Sequence, residues 1–202
     1  VGMFGKSKLS DLHLTPAGFE WKGQVHSADE IEHVSLWLVH YTQRMNFSKV
    51  GDADTATVEF RLRDGKRIEL RVDEHGPMYG LNWNKTDEIR KLLEVHSALA
   101  GASFPHRVQR YERQLAEHGY FEHDNCKFYP PKKIVVRNRE YDLSEYTLLR
   151  HPTSIELRRK ESGALDTLKR EFTFARTPGF DTMMDGDVAF FLLRKYFGIR
   201  WQ

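Results

Sequence analysis

The chain carries the same pattern twice: a strand pair rich in charged residues, then an acidic turn, then an amphipathic helix. In the first half, the strand pair covers residues 58–70 and the helix begins near Asp87. In the second half, the strand pair covers residues 155–172 and the helix begins near Asp187. Alternation of apolar and polar residues indicates strands, and an apolar stripe at helical spacing indicates a helix with one buried side. The duplication therefore predicts two related β-rich units, each closed by a helix.

We place the first unit at residues 8–101, a connector helix at 102–119 and the second unit at 120–202. Gly101 and Pro105 are expected to interrupt the helical pattern, which separates the first helix from the connector. Units of about 100 residues are large enough to build their own hydrophobic cores. The predicted fold class is α+β, mainly antiparallel β, with two bent sheets or partial barrels, each closed by a C-terminal helix.

Three features of the first unit define its expected sheet. Residues 34–44 form the longest strand candidate, and apolar residues occupy both of its faces. A strand with two apolar faces is typical of the centre of a sheet, so we predict a central position. The polar residues 48–55 predict a loop, and Asp64-Gly65 predicts a tight hairpin turn.

Composition excludes several classes of protein. The 31 basic residues nearly balance the 29 acidic residues, which gives a net charge of +2 and no overall positive field for nucleic acid. The single cysteine, Cys126, permits no intramolecular disulfide and suits a reducing compartment. No apolar run approaches the roughly 18 residues of a membrane span, and residues 1–6 lack the core of a signal peptide. We predict a cytoplasmic protein that does not bind nucleic acid.

Meandering antiparallel strands followed by one amphipathic helix also make up the pleckstrin-homology-like (PH-like) domain. With its helices at 87–99 and 187–197, the chain from residue 9 to residue 201 resembles a tandem of two such domains, as in small bacterial proteins of unknown function. The resemblance implies that each helix plugs the open end of a bent sheet. It also implies a binding scaffold that has no catalytic activity and needs no cofactor.

Lys132, Lys133, Arg137 and Arg139 form a candidate anion-binding site. If they belong to one extended strand, the last three share a face, because side chains alternate along a strand. There they could hold phosphate groups through charge-assisted hydrogen bonds. Lipid-binding PH-like domains use basic residues on their first hairpin, whereas the first hairpin of this chain carries only Lys22. The alternative, which we favour, is a solvated edge strand whose cations oppose aggregation.

His118, His123 and Cys126 have a spacing that could converge on zinc. They lack a paired Cys-x-x-Cys or His-x-x-x-His motif, and they straddle the end of a helix and a turn. Polar residues gather at such places without any metal. We therefore predict no metal site.

Asp181, Asp185 and Asp187 precede or begin the final helix. Neighbouring carboxylates could act as acid and base or bind a divalent cation. Negative charge at the N-terminus of a helix is also stabilising by itself, through capping and the helix dipole. Capping is the interpretation we adopt for these residues.

The sequence contains no Gly-x-Ser-x-Gly and no Gly-x-Gly-x-x-Gly motif, and Cys126 lies in no catalytic context. We therefore predict that the protein is not an enzyme. The enzymatic alternative requires an unfamiliar site between the two units, at which Asp185, Asp187, His118 and His123 converge.

The predicted function is a non-enzymatic binding protein that recognises a protein or peptide along an exposed sheet edge or between the units. A homodimer through such an edge is one form of this interaction. Trp83, flanked by two asparagines, is the predicted partner contact, whereas Trp21, Trp37 and Trp201 are expected to fill cores. A second hypothesis is binding of anionic phospholipid or phosphate through the basic residues, with peripheral membrane contact.

Overall fold

The protein has a mixed α+β fold with mainly antiparallel sheets, as predicted. The chain divides into two compact units, and the boundary between them falls between Arg107 and Val108. No sheet closes into a barrel among the strands that the structure describes. The structure is a computed structural model that describes residues 9–45, 48–75, 86–151, 154–160, 179–182 and 184–201.

The N-terminal unit contains two three-stranded antiparallel sheets, with strand orders β1-β2-β3 and β4-β5-β6. Short 3-10 turns precede β1 and follow β3. A four-residue loop, residues 63–66, joins β5 to β6, and Gly65 in this loop has a φ of 84°. The strands are β1 (Leu12–Thr15), β2 (Gly18–Trp21), β3 (Gln24–Ser27), β4 (Ile31–Met45), β5 (Ser48–Leu62) and β6 (Arg67–His75).

One face of the β4-β5-β6 sheet carries most of the core of this unit. Buried and exposed residues alternate along β6, which is the pattern of a sheet with one covered face. Phe19 and Trp21 of β2 join the same core. The helix that follows β6 contributes Leu92 and Leu99.

Two sequence predictions for this sheet are wrong. The strand predicted to be central, β4, lies at an edge of the described sheet, and β5 is the central strand. Residues 48–55, predicted to form a loop, make up the first half of β5. Their polar character is compatible with a strand because the register pairs the backbone of β5 with β4 on one side and, from Ala53 onward, with β6 on the other.

A single helix, α1 (Thr86–His118), replaces the predicted first helix and connector helix. Pro105 lies inside it and lacks an amide hydrogen, so the carbonyl of Gly101 loses its usual partner. The predicted interruption at residues 101–105 is therefore wrong, while the domain boundaries remain predictions.

Two side chains of α1 bond to carbonyl groups in the turn before Pro105. Ser103 Oγ donates to the carbonyl of Leu99 at 2.7 Å. The guanidinium of Arg107, which is fully buried, donates to the carbonyl of Ala100 at 2.8 Å. The carbonyl groups that accept these bonds are the two that precede the carbonyl of Gly101 in the chain.

The C-terminal unit contains a four-stranded antiparallel sheet of order β10-β9-β8-β7 and a three-stranded sheet of order β11-β12-β13. Phe60 and Leu157 thus belong to different sheets, as two separate cores require. The elements are β7 (Phe121–His123), β8 (Cys126–Tyr129), β9 (Lys133–Val136), β10 (Arg139–Asp142), β11 (Tyr146–Arg150), β12 (Ser154–Arg159), β13 (Gly179–Asp181) and α2 (Gly186–Phe197).

Stacked aromatic rings connect the four-stranded sheet to α2. The rings of Phe121 and Phe128 stack at 4.9 Å between centroids. Phe197, at the end of α2, meets both rings edge-on at 6.4 and 6.3 Å. The apolar side of α2 is buried, as its residue spacing predicts. Within the described residues, neither helix combines the length and apolarity that a membrane span requires.

Candidate functional site

Among the strands that the structure describes, β4 combines an edge position with unusual length. Its 15 residues exceed the usual strand length of about 3–10 residues. Its ladder with β5 is regular from His33 to Gln43 and irregular just beyond each end of that stretch. Edge strands are usually kept short or carry charges and proline, which discourage pairing with another chain. Residues 34–39 contain neither charge nor proline, so this stretch of β4 lacks these protective features.

The apolar side chains of β4 become exposed along the strand. Val34 is only 3% exposed and Leu36 packs against the core. Leu38, on the same face, is 56% exposed, and Val39, on the opposite face, is 39% exposed. Apolar exposure on both faces of an edge strand is typical of a surface that pairs with another polypeptide. The two-faced apolar pattern that suggested a central strand thus marks this exposed edge.

The face of the sheet opposite the core is stabilised by ion pairs. Glu59 of β5 is buried, and Arg67 Nη2 lies 2.8 Å from its carboxylate. Arg61 Nη2 lies 3.7 Å from the same group. Ser35 of β4 is opposite Glu59 in the ladder and is also buried. An ion pair therefore connects β5 to β6 on this face, and the exposed apolar residues lie further along β4.

Trp83, the predicted partner contact, lies outside the described residues, so that contact remains a prediction. Trp21 is buried in the core, as expected, and Trp37 and Trp201 are half-buried. The ring of Trp201 meets Phe190 edge-on at 5.0 Å between centroids. The guanidinium of Arg150 lies 4.2 Å from the centre of the Phe190 ring. The prediction that tryptophans fill cores thus holds fully for Trp21 alone.

The predicted basic residues do not lie on one strand. Strand β9 ends at Val136, and Arg137 and Asn138 form a two-residue turn with φ values of 48° and 64°. Arg139 then begins β10 opposite Val136, which puts it on the other face of the sheet from Lys133. The predicted shared face is wrong because a turn reverses the chain where a continuous strand was assumed.

The lysines on the outer face of this sheet each have a nearby carboxylate. Lys133 Nζ lies 3.3 Å from Glu140 Oε1 and 4.5 Å from the centre of the Tyr129 ring. Lys127 Nζ lies 3.1 Å from Glu122 Oε1. In each pair the glutamate balances the charge of the lysine, so these four residues create no local excess of positive charge. Anion binding by Lys132, Lys133, Arg137 and Arg139 remains a prediction.

Asp185 occupies the N-cap position of α2, but its side chain does not cap the helix. Its backbone is left-handed, with φ 49° and ψ 30°, and its carboxylate is fully buried. Arg110 Nη2 of α1 donates to Oδ2 at 3.1 Å, and the hydroxyl of Tyr111 donates to the same oxygen at 3.2 Å. The capping prediction is therefore wrong for Asp185. Asp187 is exposed in the first turn of α2, and Asp181 belongs to β13.

The surroundings of Tyr111 keep its phenol protonated. Burial raises the pKa of Tyr111 far above its ordinary value, and the charge of Asp185 raises the pKa further. A protonated phenol can donate to the carboxylate, while the guanidinium of Arg110 balances its charge. The three groups form a buried polar cluster that connects α1 to α2 in the C-terminal unit.

Sequence reasoning missed the partners of Asp185. Neither Arg110 nor Tyr111 carries a predicted functional role. Arg110 and Asp185 are 75 positions apart in the chain, so no local pattern reveals the contact. The sequence offers one signal of the contact, the position of Arg110 beside a core residue of α1. An arginine on the buried side of a helix needs a carboxylate partner.

The three residues considered for zinc lie in different environments. His123 and Cys126 are buried opposite each other in the β7–β8 hairpin. His118 is exposed at the end of α1, with Nε2 at 3.9 Å from Glu117 Oε2. In the part of the chain that the structure describes, no three His, Cys, Asp or Glu residues are grouped so that they could hold a metal ion.

The four residues of the enzymatic alternative are only partly brought together. Asp185 bonds to the hydroxyl of Tyr111, and the ring of His123 lies 6.3 Å from the ring of the same tyrosine. Asp187 and His118 are exposed. Tyr111 thus lies between two of the four residues, and its phenol is held in the protonated form.

Cys126 is expected to react slowly with thiol reagents in the folded protein. Burial raises the pKa of its thiol to about 12, with a smaller effect from the charge of Asp124. Because the thiolate is the reactive form, reaction with a disulfide reagent at neutral pH should be slower than in denaturant by at least about 100-fold. Absorbance of the released chromophore measures both rates. Comparable rates in the two conditions would contradict the buried position.

Comparison with known proteins returns no relative: neither a family model, nor a curated protein, nor a solved structure matches the chain. Function must therefore be inferred from geometry. Two features stand out among the described residues, the exposed edge at β4 and the buried cluster around Asp185. The first can contact a partner, whereas the second is enclosed by its own unit.

Proposed function

We propose that the protein is a non-enzymatic binding protein that takes up an extended polypeptide segment as an additional strand beside β4. The supporting observation is the uncharged stretch 34–39 of this edge strand, with Leu38 and Val39 exposed. In strand addition, main-chain hydrogen bonds supply affinity and side chains on alternate positions supply selectivity. A long, regular ladder is the geometry that this mode of binding requires.

The chemistry of β4 also defines the segment that it would bind. Leu38 and Val39 point to opposite faces, so an added strand needs an apolar residue on each face to cover them. No charge on β4 between Val34 and Val39 would compensate a buried charge on the ligand. The preferred segment is therefore extended, apolar on both faces and uncharged over about six residues.

We also propose that both units are PH-like. In each unit the strands precede one helix: β1 to β6 come before α1, and β7 to β13 come before α2. This order supports the resemblance, and it agrees with a binding role because the PH-like class commonly serves as a scaffold. The phosphate-binding alternative has no comparable support, because Glu140 balances the charge of Lys133.

A phage-displayed library of random linear peptides, selected on the full-length protein, tests the proposed function. We expect enriched peptides with apolar, uncharged cores. A protein with Leu38→Lys and Val39→Lys should bind them at least about tenfold more weakly, because lysine on an edge strand opposes pairing. Binding is measured by fluorescence anisotropy with labelled synthetic copies of the enriched peptides.

The control is Val25→Lys, which introduces a lysine at a side chain that is 73% exposed on β3. This variant should bind the selected peptides as the unchanged protein does. Failure to enrich any peptide would refute the proposal. An equal loss of affinity in the Val25→Lys protein would also refute it, since the effect would then come from net charge.

A further inference from the structure

We infer that the C-terminal unit binds a phosphate group beside Phe190, through the guanidinium of Arg150 and the indole N–H of Trp201. Both side chains meet the Phe190 ring. The guanidinium carbon of Arg150 lies 4.2 Å from the centre of that ring, and the centre of the Trp201 ring lies 5.0 Å from it. The site does not involve β4, because its residues belong to β11, α2 and the segment after α2.

The end of α2 brings Trp201 back to Phe190. Gly198, directly after the helix, has a φ of 66°, a conformation that ends a helix and reverses the chain. The amide of Ile199 then donates to the carbonyl of Leu193 at 3.4 Å. The chain therefore returns along the helix, and the Trp201 ring packs edge-on against Phe190.

The β11–β12 ladder places Arg150 over the Phe190 ring. Arg150 is the last residue of β11 and is directly opposite Ile155, which is fully buried. Directly paired residues project from the same face of a sheet, so Arg150 lies at the margin of the covered face. Stacking on a ring orients the planar guanidinium, and the N–H groups along its edge can still donate to an acceptor.

No carboxylate balances the positive charge around Phe190. Arg194 lies four residues after Phe190 and therefore on the same side of α2. Arg200 precedes Trp201 in the returning segment. All three arginines are exposed, and none of them forms an ion pair with a carboxylate in the part of the chain that the structure describes. An exposed guanidinium without a carboxylate partner is available to an anionic ligand.

The indole N–H of Trp201 is a hydrogen-bond donor in need of an acceptor. Its nitrogen is buried and has no hydrogen-bond partner among the described residues. Buried donors in proteins are nearly always satisfied, because an unmade hydrogen bond costs about 1–3 kcal/mol. A ligand oxygen that enters beside Phe190 would supply the acceptor. The same ligand could then bond to the guanidinium that stacks on this ring.

The charges and donors together match a phosphate monoester. Such a group carries a charge of about −1.5 to −2 at neutral pH and has three acceptor oxygens. Arg150 and Arg194 offset that charge. Two N–H groups on the edge of the Arg150 guanidinium and the indole N–H of Trp201 supply a donor for each oxygen. A carboxylate, with one charge and two oxygens, would leave a donor and a cation unmatched.

Proton–nitrogen correlation spectra of the nitrogen-labelled full chain test the site at one atom. The protein is titrated with inorganic phosphate and, separately, with acetate at the same ionic strength. The indole signal that is missing from the spectrum of Trp201→Phe identifies Trp201. We expect phosphate to shift this signal downfield until it saturates, and acetate to shift it much less. A signal that does not move, or that moves equally with acetate, would overturn the inference.

Variants of Arg150 show whether the guanidinium takes part. Arg150→Ala should bind phosphate at least about tenfold more weakly. Arg150→Lys keeps the charge but not the planar pair of donors, so it should also bind more weakly. The matched control is Arg158→Ala, which removes an exposed arginine whose Nε lies 3.5 Å from Glu156 Oε1. Unchanged affinity in both Arg150 variants, or an equal loss in Arg158→Ala, would overturn the site. The spectra also verify that each variant is folded.

The phosphate monoester can belong to a soluble compound or to a lipid headgroup. Glycerol phosphate presents this group in solution, and vesicles that contain phosphatidic acid present it on a membrane surface. Binding of glycerol phosphate that depends on Arg150 would identify a soluble ligand. Sedimentation of the protein with the vesicles, again dependent on Arg150, would identify the lipid. Either result supports the phosphate site, and failure of both would overturn it.

Discussion

Replacing Asp185 by alanine should lower the free energy of unfolding of the C-terminal unit by about 3 kcal/mol, since removing one partner of a buried ion pair leaves the other uncompensated. Arg110 would lose its carboxylate at 3.1 Å, and the buried hydroxyl of Tyr111 would lose its acceptor. Urea denaturation followed by circular dichroism measures the change. Part of the loss comes from the backbone, because alanine tolerates the left-handed conformation of residue 185 less well than aspartate does.

Two further variants separate these contributions. Asp185→Asn keeps a side chain that suits the left-handed backbone and removes only the charge, so it should lose less stability than Asp185→Ala. Asp187→Ala removes an exposed carboxylate from the same helix turn and should change stability by less than about 1 kcal/mol. If Asp185→Ala were no worse than Asp187→Ala, the buried cluster would contribute nothing to stability.

Gly18→Ala should destabilise the N-terminal unit by more than about 4 kcal/mol, an effect reserved for severe steric or packing defects. A Cβ atom at residue 18 would lie 2.2 Å from the carbonyl oxygen of His26 and 2.9 Å from the amide nitrogen of Ala28. Both are backbone atoms, so neither can rotate away. Residue 18 pairs with Ser27 in the β2–β3 ladder, and the clash would separate these strands. Thermal melting of the full chain should show an early transition.

Gly101→Ala is the matched control, because it makes the same chemical change in a different environment. A Cβ atom at Gly101 meets nothing within 4 Å, and the residue lies inside α1. Alanine should stabilise this helix by about 0.5–1 kcal/mol. The two glycine variants should therefore shift the melting temperature in opposite directions. A mild effect of Gly18→Ala would show that β2 and β3 are further apart than described.

Local patterns are sufficient to recognise the β7–β8 hairpin, because its alternating apolar residues and the turn formers Asp124-Asn125 lie close together in the chain. The same logic failed at Arg137-Asn138. Both residues adopt positive φ. Asn tolerates this conformation well, whereas an Arg residue gives no reason to expect it. A turn of this kind has no strong signature without glycine.

Features that depend on distant residues were not predictable. The pattern of β4 is apolar on both faces, and periodicity alone cannot tell a central strand from an exposed edge. Only the pairing of β5 with both of its neighbours decides the question. Asp185 is a similar case, since its position predicts capping and its actual partners lie 75 and 74 residues away. Long-range contacts of this kind override local preference.

The unbroken course of α1 affects how the protein can be divided into fragments. The helix runs through the boundary at Arg107–Val108, so part of it belongs to each unit. Proteases need an extended, accessible backbone, and a helix interior does not supply it. A truncated chain that started at Gly101 would also begin midway through a helix, with amide groups that had lost their acceptors. Fragments that keep the whole of residues 86–118 are therefore the ones to express.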